Sequence, residues 1–464
     1  MNRPNIIVIM ADDMGYGDFS LFNDGLTESP TLDELAGSGV VFSQHYSESP
    51  VCTPARAGFL TGRYHHRTGA LDMRENRGLD RLARREQTVA DMFCQAGYHT
   101  GLVGKWHNGS FGDDYHPLKR GFREFSGFRA GLMDYWDWLV EIDGTLHRGD
   151  GRYLTDVFTD EAVSYINRHS GEPFFLMLTY NAPHFPLQAP EEDIEPFRDK
   201  PVNDAVATLY GMIRRMDRGI ERVLDALDQN GIADNTMVLF TSDNGPQISH
   251  GDIDLTRFNA GWRGHKTLVY EGGIRVPMIV RWPDGGLRGG VDTDTFCHFT
   301  DWLPTLCAAA GIDERPTLPL DGYNLLPVLR GEGSASPTER FWQWNRFSPI
   351  RETNAAMRDG AWKLVRPPMP GSLAVDGAEC RYDDHVRMHR EQYDGHLLGA
   401  PRPDIPLGEP REVELYNLDD DPGEQVNLAG RHPDRTRRML NRLETWFDQV
   451  EAERRGLSDE HVVW

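Results

Sequence analysis

Four oxygen-bearing side chains directly follow two short apolar runs of the chain. They are Asp12, Asp13, Asp243 and Asn244, after the runs at residues 5–10 and 236–241. If the two runs are neighbouring parallel strands, their carboxyl ends meet at one edge of a sheet, where such sheets bind ligands. Carboxylate and amide oxygens suit a hard divalent cation such as Ca²⁺. The pattern therefore predicts a cation site, although each pair by itself is also typical of turns and helix caps.

Cys52 lies in the segment SPVCTPAR, at the mouth of a predicted helix with Pro54 in its first turn and Arg56 shortly after. A helix N-terminus stabilises anions and activates thiols. The alternative is a small buried thiol. The other four cysteines are widely spaced without a CxxC pair, which indicates core positions and neither a disulfide framework nor a zinc site.

Strands and helices alternate through the first 330 residues, and the elements that must position these side chains belong to that alternation. Apolar runs predict strands at 5–10, 99–103, 173–179, 236–241 and 276–280. Capping residues and a period near 3.6 predict helices at 31–36, 89–95, 156–167 and 203–229. The predicted fold class is α/β, with a large, mostly parallel central sheet flanked by helices.

The composition and the hydrophobic pattern of the sequence change after Gly331. A small polar stretch at 331–337 precedes a predicted hairpin at 355–365 with its turn at Asp359-Gly360. A Pro/Gly-rich excursion at 367–410 and a closing helix at 433–453 follow. We therefore predict an α/β catalytic domain over residues 1–335 and a smaller α+β subdomain, with a small antiparallel sheet and the closing helix, over 336–464.

Composition excludes several classes of protein. The 464 residues include 72 acidic and 49 basic side chains, a net charge of −23, which is too acidic for nucleic-acid binding. No apolar run approaches the roughly 18 residues of a membrane span, so no membrane partner is expected. The run at 6–11 meets Asp12 and Asp13 too soon for a secretory signal. We therefore expect a cytoplasmic protein.

Six segments, in order, resemble the sulfatase family of the alkaline phosphatase superfamily. They read NIIVIMADDMGYGD, CTPARAGFLTGRY, GLVGKWHNG, APHFPLQAP, FTSDNG and GHKTLVYEGGIRVP. The tail segments MRDGAWKLV and ELYNLDDDPGEQVNLA resemble the family's C-terminal subdomain. CTPAR resembles the signal read by the maturation enzyme that oxidises this cysteine to formylglycine (3-oxoalanine). The resemblance implies an alkaline phosphatase-like fold and a formylglycine-dependent, type I sulfatase, most like carbohydrate sulfatases.

The resemblance also implies how residue 52 works. Its hydrated aldehyde is a geminal diol, of which one hydroxyl attacks sulfur to form a covalent sulfo-enzyme. Asp12, Asp13, Asp243 and Asn244 resemble the ligands of one Ca²⁺, completed by the oxygen at position 52. By the same resemblance Arg56 holds the diol, and Lys105 and Lys266 contact sulfate oxygens.

Two histidines complete the implied machinery. His107 resembles the base that takes the proton of the second hydroxyl, after which sulfate leaves by C–O cleavage and the aldehyde returns. His184 resembles the group that protonates the leaving oxygen. Taken singly, each of these histidines and lysines also has a plain interpretation as a surface or core residue.

The substrate is indicated only in outline. Aromatic residues beside polar ones at 341–346 and 135–138 suit sugar rings, which makes Trp344, Arg346 and Trp136 candidate substrate contacts. The alternative is that these aromatics pack at the domain junction. We expect exo removal of one sulfate ester from a small sulfated mono- or oligosaccharide. A phosphonate monoester or phosphodiester hydrolase, and an anion-binding protein without catalysis, remain alternatives.

Two further clusters are interpreted as structural. Asp419-Asp420-Asp421 lacks the ligand spacing of an EF-hand loop and precedes Pro422-Gly423, which is typical of a solvated turn. His65 and His66 are adjacent, and adjacent residues of a helix or strand do not face one site. That histidine pair is left without a function.

Overall fold

The structure is a computed structural model that describes residues 3–287, 289–332, 338–389, 392 and 403–457. The described strands are β1 (Asn5–Ala11), β2 (Val40–Phe42), β3 (His45–Tyr46), β4 (His99–Lys105), β5 (Glu124–Phe128), β6 (Leu139–Ile142), β7 (Thr145–Arg148), β8 (Phe174–Thr179), β9 (Thr236–Ser242), β10 (Ser249–His250), β11 (Ile253–Asp254), β12 (Met278–Arg281), β13 (Val291–Thr293), β14 (Cys297–His298), β15 (Glu339–Gln343), β16 (Ala355–Asp359), β17 (Trp362–Arg366) and β18 (Glu414–Asn417).

The described helices are α1 (Pro30–Ser38), α2 (Cys52–Thr61), α3 (His65–Thr68), α4 (Val89–Gln95), α5 (Leu154–His169), α6 (Glu191–Ile194), α7 (Asp204–Gln229), α8 (Glu271–Ile274), α9 (Trp302–Ala309), α10 (Leu326–Leu329), α11 (Gly377–Met388) and α12 (Pro433–Arg455). Short 3₁₀ helices lie between several of them, and the one at Glu75–Arg77 is important for the site described below.

A large mixed sheet organises the first 300 residues. Its strand order is β13-β2-β12-β9-β1-β8-β4-β5-β6-β7 among the described residues. The central strands β9, β1, β8, β4 and β5 are parallel, whereas β12 and β6 pair antiparallel on either side. Ala11 at the end of β1 pairs with Ser242 at the end of β9. The predicted α/β class with a mostly parallel sheet is confirmed.

The central strands are continuously apolar because helices cover both faces of the sheet. Successive side chains of β1 point to opposite faces: Ile7 and Ile9 pack with α1, α5 and α7, while Ile6 and Val8 pack with α2, α4 and α9. The strand predicted at 276–280 is β12, which runs antiparallel to β9. The apolar sequence of β12 indicated that the strand is buried but did not indicate whether it runs parallel or antiparallel to its neighbour.

A four-stranded antiparallel sheet, in the order β15-β16-β17-β18, lies in the C-terminal part of the chain. The predicted hairpin is β16 and β17, and its turn is Gly360-Ala361, one residue later than predicted. Met439, Leu443 and Trp446 of α12 pack on this sheet. We call strands β15–β18 with α11 and α12 the C-terminal unit. The predicted boundary between residues 335 and 336 lies outside the described residues.

The predicted excursion at 367–410 contains the helix α11, which the sequence analysis missed. Its sequence, GAECRYDDHVRM, has no apolar stripe, and the helix docks through charged side chains instead. No described helix is both long enough and apolar enough to cross a membrane.

Candidate active site

The carboxyl ends of β1 and β9 bring the four predicted oxygen ligands together. The backbone N–H of Asp243 donates to Ala11 O (3.1 Å), which continues the pairing of the two strands. Asp243 Oδ1 then accepts from the N–H of Asp13 at 3.1 Å, and Asn244 Nδ2 donates to Asp13 Oδ1 at 2.7 Å. All four side chains, including that of Asp12, are buried. The sheet register therefore builds an oxygen-rich cluster beneath the protein surface.

Three buried cations neutralise the three carboxylates of this cluster. Lys105 Nζ lies 2.6 Å from Asp12 Oδ2, and Lys266 Nζ lies 2.7 Å from Asp13 Oδ2. Arg56 Nε donates to Asp243 Oδ2 at 2.9 Å. These pairs balance the negative charge of the cluster in a chain that is acidic as a whole. The predicted sulfate-contacting cations thus converge on the predicted cation site.

The carboxylates of the cluster do not titrate alike. Burial works to raise the pKa of Asp13, but Lys266 and His184 override it and hold the pKa well below its usual value. Burial and the neighbouring Asp12 raise the pKa of Asp243 to about 6. Lys266 keeps its charge, because Asp13 raises its pKa despite the burial. A divalent cation among these oxygens would hold every carboxylate in its ionised form.

Cys52 begins α2 and is completely buried. Ligand atoms of Asp12, Cys52 and Asp243 all lie within 4.8 Å of one another. Burial raises the pKa of the thiol, and Lys105 and Lys266 offset this only in part. Burial therefore opposes the activation expected from the helix N-terminus, and the thiol keeps its proton at pH 7. Whether residue 52 can act as a nucleophile or as a ligand of a hard cation depends on which atom replaces the sulfur.

The donor set fits a hard divalent cation. Within the described part of the chain, Asp12 Oδ1 and Asn244 Oδ1 are buried acceptors without a hydrogen-bond partner. Such atoms are costly to bury unless something satisfies them. Oxygen donors suit Ca²⁺, whereas a sulfur at position 52 does not. An oxygen at position 52 would complete a set made entirely of oxygens.

Two predicted histidines follow neighbouring strands. His107 comes two residues after β4 with a left-handed backbone (φ 53°), and its Nε2 lies 3.3 Å from Glu75 Oε1. His184 follows β8; its Nε2 lies 3.6 Å from Asp13 Oδ2 and its Nδ1 lies 3.0 Å from Phe185 O. Burial lowers the pKa of both rings, and Lys105 at His107 and Lys266 at His184 lower it further. Both rings are therefore neutral at pH 7.

Sequence reasoning missed two residues beside His107. Glu75, on the 3₁₀ helix Glu75–Arg77, faces the His107 ring, and Arg387 of α11 donates to Glu75 at 2.8 Å. Glu75 and Arg387 lie 312 positions apart, and neither belongs to a recognisable motif. No local signal in the sequence could have paired them.

The three candidate substrate contacts occupy different places. Trp344 is buried in the same cluster as Cys52, and the Arg346 guanidinium lies 5.0 Å from its ring centroid. Arg346 Nη1 also lies 3.0 Å from Asp72 Oδ1. Trp136 is 40% exposed and packs on Tyr153, along a separate cavity that contains Arg152. The structure thus places Trp344 and Arg346 beside Cys52, and Trp136 along that other cavity.

The histidine pair at 65–66 does face one cluster, contrary to expectation. The two rings pack with centroids 3.9 Å apart, His65 Nδ1 lies 2.8 Å from Glu48 Oε1, and His66 Nε2 lies 2.8 Å from Gln343 Oε1. The short helix α3 turns both rings inward, where His66 also packs on Trp446 of α12. This buried polar cluster joins α3 to the C-terminal unit.

Comparison with known proteins identifies the family. The family model "Sulfatase" matches residues 4–312. Arylsulfatase J of Mus musculus is 30% identical over 475 residues, covering 95% of this chain and 75% of the relative. Human N-acetylgalactosamine-6-sulfatase is 31% identical over 353 residues, covering 70% of this chain and 66% of the relative.

Solved structures agree. The crystal structure of Ps i-CgsB in complex with k-i-k-neocarrahexaose is 28% identical, with a TM-score of 0.78 over 96% of this chain and 93% of that one. The phosphonate monoester hydrolase of Agrobacterium radiobacter shares the fold alone, at 19% identity and a TM-score of 0.64 over 97% of this chain and 96% of that one. The chain belongs to the sulfatase family and is a sulfuric ester hydrolase.

Proposed function

We propose that this protein removes a sulfate ester from a small sulfated carbohydrate, in an exo manner, using formylglycine at position 52 and one Ca²⁺. The observation that carries the proposal is the placement of Cys52, at the start of α2, beside three carboxylates and three cations that are all buried. A neutral, buried thiol is a poor nucleophile and a poor ligand for a hard cation. Conversion of its sulfur to oxygen supplies both functions.

Residue 52 supplies the nucleophile once a maturation enzyme has oxidised it. One hydroxyl of the hydrated aldehyde attacks sulfur, the S–O bond to the sugar alcohol breaks, and the sulfate group moves to residue 52. Loss of the proton from the second hydroxyl then expels sulfate by C–O cleavage and restores the aldehyde. Arg56, held by Asp243 at 2.9 Å, lies at the same end of α2 and orients the diol.

Asp12, Asp13, Asp243, Asn244 and the oxygen at position 52 would hold the calcium ion. When bound, the ion lowers the pKa of a coordinated hydroxyl and neutralises charge on the transferring group. Lys105 and Lys266, already within 2.7 Å of Asp12 and Asp13, add fixed positive charge for the sulfate oxygens. The arrangement favours binding of a tetrahedral oxyanion that carries one ester substituent.

The two histidines divide the proton transfers, His107 as a neutral base and His184 as an acid. Within the described residues His107 Nδ1 is buried without a partner, so it can accept the proton of the second hydroxyl. His184 follows β8 beside Lys266 and Asp13. It would protonate an alcohol leaving group from Nε2 as the imidazolium, because in the neutral ring the proton lies on Nδ1, which faces Phe185 O. The negative charge of a bound sulfate ester favours that protonated form. The carbohydrate assignment is supported by the human relative named for N-acetylgalactosamine-6-sulfate and by the solved structure with a bound neocarrahexaose.

The test is the mass of the peptide spanning Cys52, in protein made by its native host, together with sulfate release from a panel of sulfated mono- and oligosaccharides. The expected result is an aldehyde at position 52 and release of sulfate. An aldehyde without sulfate release would favour phosphonate or phosphodiester substrates. A persistent thiol in a host that oxidises other such cysteines would favour the anion-binding alternative.

A further inference from the structure

The ring of His107 is buried, and one edge of it faces the carboxylate of Glu75. The Glu75 carboxylate is 1% exposed, as is the His107 side chain. Its Oε1 accepts from the backbone N–H of Gly131 at 2.6 Å and from Arg387 Nε at 2.8 Å, and it lies 3.3 Å from His107 Nε2. One carboxylate oxygen therefore gathers a backbone amide, a guanidinium and the imidazole.

The backbone of Gly131 packs closely against both the His107 ring and this carboxylate. A Cβ atom at Gly131 would lie 2.6 Å from both Cε1 and Nε2 of His107 and 2.8 Å from Glu75 Oε1. No side chain fits there unless the ring or the carboxylate moves. The glycine thus permits a contact between the backbone and the edge of the ring that carries Nε2.

Arg387 anchors the carboxylate from the C-terminal unit. Its guanidinium also donates to Met73 O at 2.6 Å and to Asp384 Oδ1 at 3.1 Å, and its side chain is 8% exposed. Burial works to raise the pKa of Glu75, but Arg387 overrides it and, with His107, lowers the pKa to about 2. Glu75 is therefore ionised at pH 7.

We propose that Glu75, held by Arg387 of α11, is a positioning residue that fixes the His107 ring with its proton on Nε2 and its lone pair on Nδ1. An ionised carboxylate can only accept hydrogen bonds, so the nitrogen that faces it must carry the proton. Neither ring nitrogen meets the geometry of a hydrogen bond among the described residues, and the carboxylate oxygen that faces Nε2 is Glu75 Oε1, 3.3 Å away. Nδ1, which is buried and has no partner among the described residues, is then the basic nitrogen.

The proposal rests on the proposed function only in the use made of Nδ1. The proton would pass from the second hydroxyl of residue 52 to Nδ1, leaving an imidazolium between Glu75 and the departing sulfate. The charged groups that face the ring are Glu75 from the 3₁₀ helix, Lys105 from β4 and Arg387 from α11. Glu75 stabilises the imidazolium, while Lys105 and Arg387 limit how far its pKa can rise.

The contact of Arg387 with Glu75 links the active site to the C-terminal unit. α11 docks on the 3₁₀ helix Glu75–Arg77 and its neighbour Arg74 through three ion pairs: Glu379 with Arg77 at 2.5 Å, Asp383 with Arg74 at 3.0 Å, and Arg387 with Glu75. Among these three, the Arg387 pair alone touches the residue that faces His107. The Glu379–Arg77 pair provides the matched control for docking without positioning, because Asp383 also lies 3.8 Å from Arg387.

The experiment combines kinetics with nitrogen NMR of the full chain. Glu75→Gln and Arg387→Met are compared with wild type and with the control Glu379→Gln, using ¹⁵N-histidine-labelled protein to identify which nitrogen of His107 carries the proton. We expect wild-type His107 to be protonated on Nε2. We expect Glu75→Gln to lower kcat by about 100-fold or more with little change in KM, and Glu379→Gln to retain wild-type kcat.

Arg387→Met tests the same proposal independently, in case the Glu75→Gln variant does not fold. It leaves the carboxylate in place but removes its guanidinium, so we expect the pKa of His107 to rise and kcat to fall, with partial rescue by Arg387→Lys. Wild-type His107 with its proton on Nδ1, or a Glu75→Gln variant with wild-type kcat, would overturn the proposal. If wild type releases no sulfate, the proposed function fails, and the NMR result still decides the positioning.

Discussion

The two nitrogens of His184 face different groups. Nδ1 lies 3.0 Å from Phe185 O and Nε2 lies 3.6 Å from Asp13 Oδ2, at the edge of the cation cluster. If Nε2 of the His184 imidazolium, formed when the anionic ester binds, protonates the leaving oxygen, His184→Ala should lower kcat/KM on a sugar sulfate by about 100- to 10,000-fold. An activated aryl sulfate, whose leaving group needs no proton, should lose far less. Rates on both substrates measure the difference.

Lys266→Ala is the matched control for this experiment. Lys266 contacts the same carboxylate at 2.7 Å but is assigned to the sulfate, which both substrates share. Its removal should therefore slow both substrates by a similar factor. Similar losses on both substrates for His184→Ala as well would remove His184 from the role of acid.

Asp243 makes the cation site testable without an activity assay. At a concentration about 100 times its Kd, a ligand that binds only the folded state adds about 2.7 kcal/mol of stability. We expect Ca²⁺ to raise the Tm of wild type and EDTA to reverse it, and Asp243→Asn to lose most of that increment. Asp217→Asn is the control, since this buried carboxylate caps α1 through Thr31 and Leu32, outside the site. An equal increment in Asp243→Asn would exclude that carboxylate as a ligand.

At the scale of elements, β17 is attached to α8 by a buried charge cluster. Lys363 Nζ lies 2.8 Å from Glu271 and 2.9 Å from Glu424, and all three side chains are completely buried. Burial raises the pKa of Glu424 to about 7, with Lys363 opposing and Glu271 adding to the rise. In the same cluster Lys363 overrides burial and lowers the pKa of Glu271 to about 2.

This cluster makes stability depend on pH with a definite sign. Between about pH 4.5 and 7 the folded protein keeps a proton on Glu424 that the unfolded chain releases, so this residue's contribution falls as pH rises. Glu271 acts only below about pH 4.5. Relative to Glu424→Gln, wild type should lose about 1–3 kcal/mol of unfolding free energy across that window. Urea denaturation at several pH values measures it. Glu444→Gln, on α12, should leave the slope unchanged, and an unchanged slope in Glu424→Gln would contradict the assignment.

Elements with a strong local signal were predictable, and those held by distant partners were not. Thr88 and Asp91 form a capping box, and the helix at 89–95 has the predicted bounds. The buried strands at 99–103 and 236–241 were found because their apolar runs are continuous, and each extends slightly further than predicted. The helix α11 was missed because ion pairs rather than an apolar stripe stabilise it.

The same distinction separates the parts of the site. Asp12, Cys52, Lys105 and Asp243 lie in segments whose residues resemble a family, so their meeting was predictable before the structure. Glu75 does not lie in a segment that resembles the family. It is held in position by Arg387, which is 312 positions away in the sequence. Trp136 stays a prediction, since an aromatic-polar pattern alone does not fix where a side chain lies and this one lines another cavity.

The whole molecule carries a net charge of −23, while its substrate is an anion. The cations at the site are buried and paired with carboxylates, so at long range the field repels a sulfated sugar. Salt shortens the Debye length from about 30 Å at 0.01 M to about 8 Å at 0.15 M. We therefore expect kcat/KM to rise with ionic strength over this range, several-fold for a disulfated oligosaccharide and less for a monosulfated one. Measurement with a salt whose ions do not bind at the site, at constant Ca²⁺, checks this. A kcat/KM that falls with salt for both substrates would mean that the local positive charge, and not the charge of the whole molecule, governs the approach of the substrate.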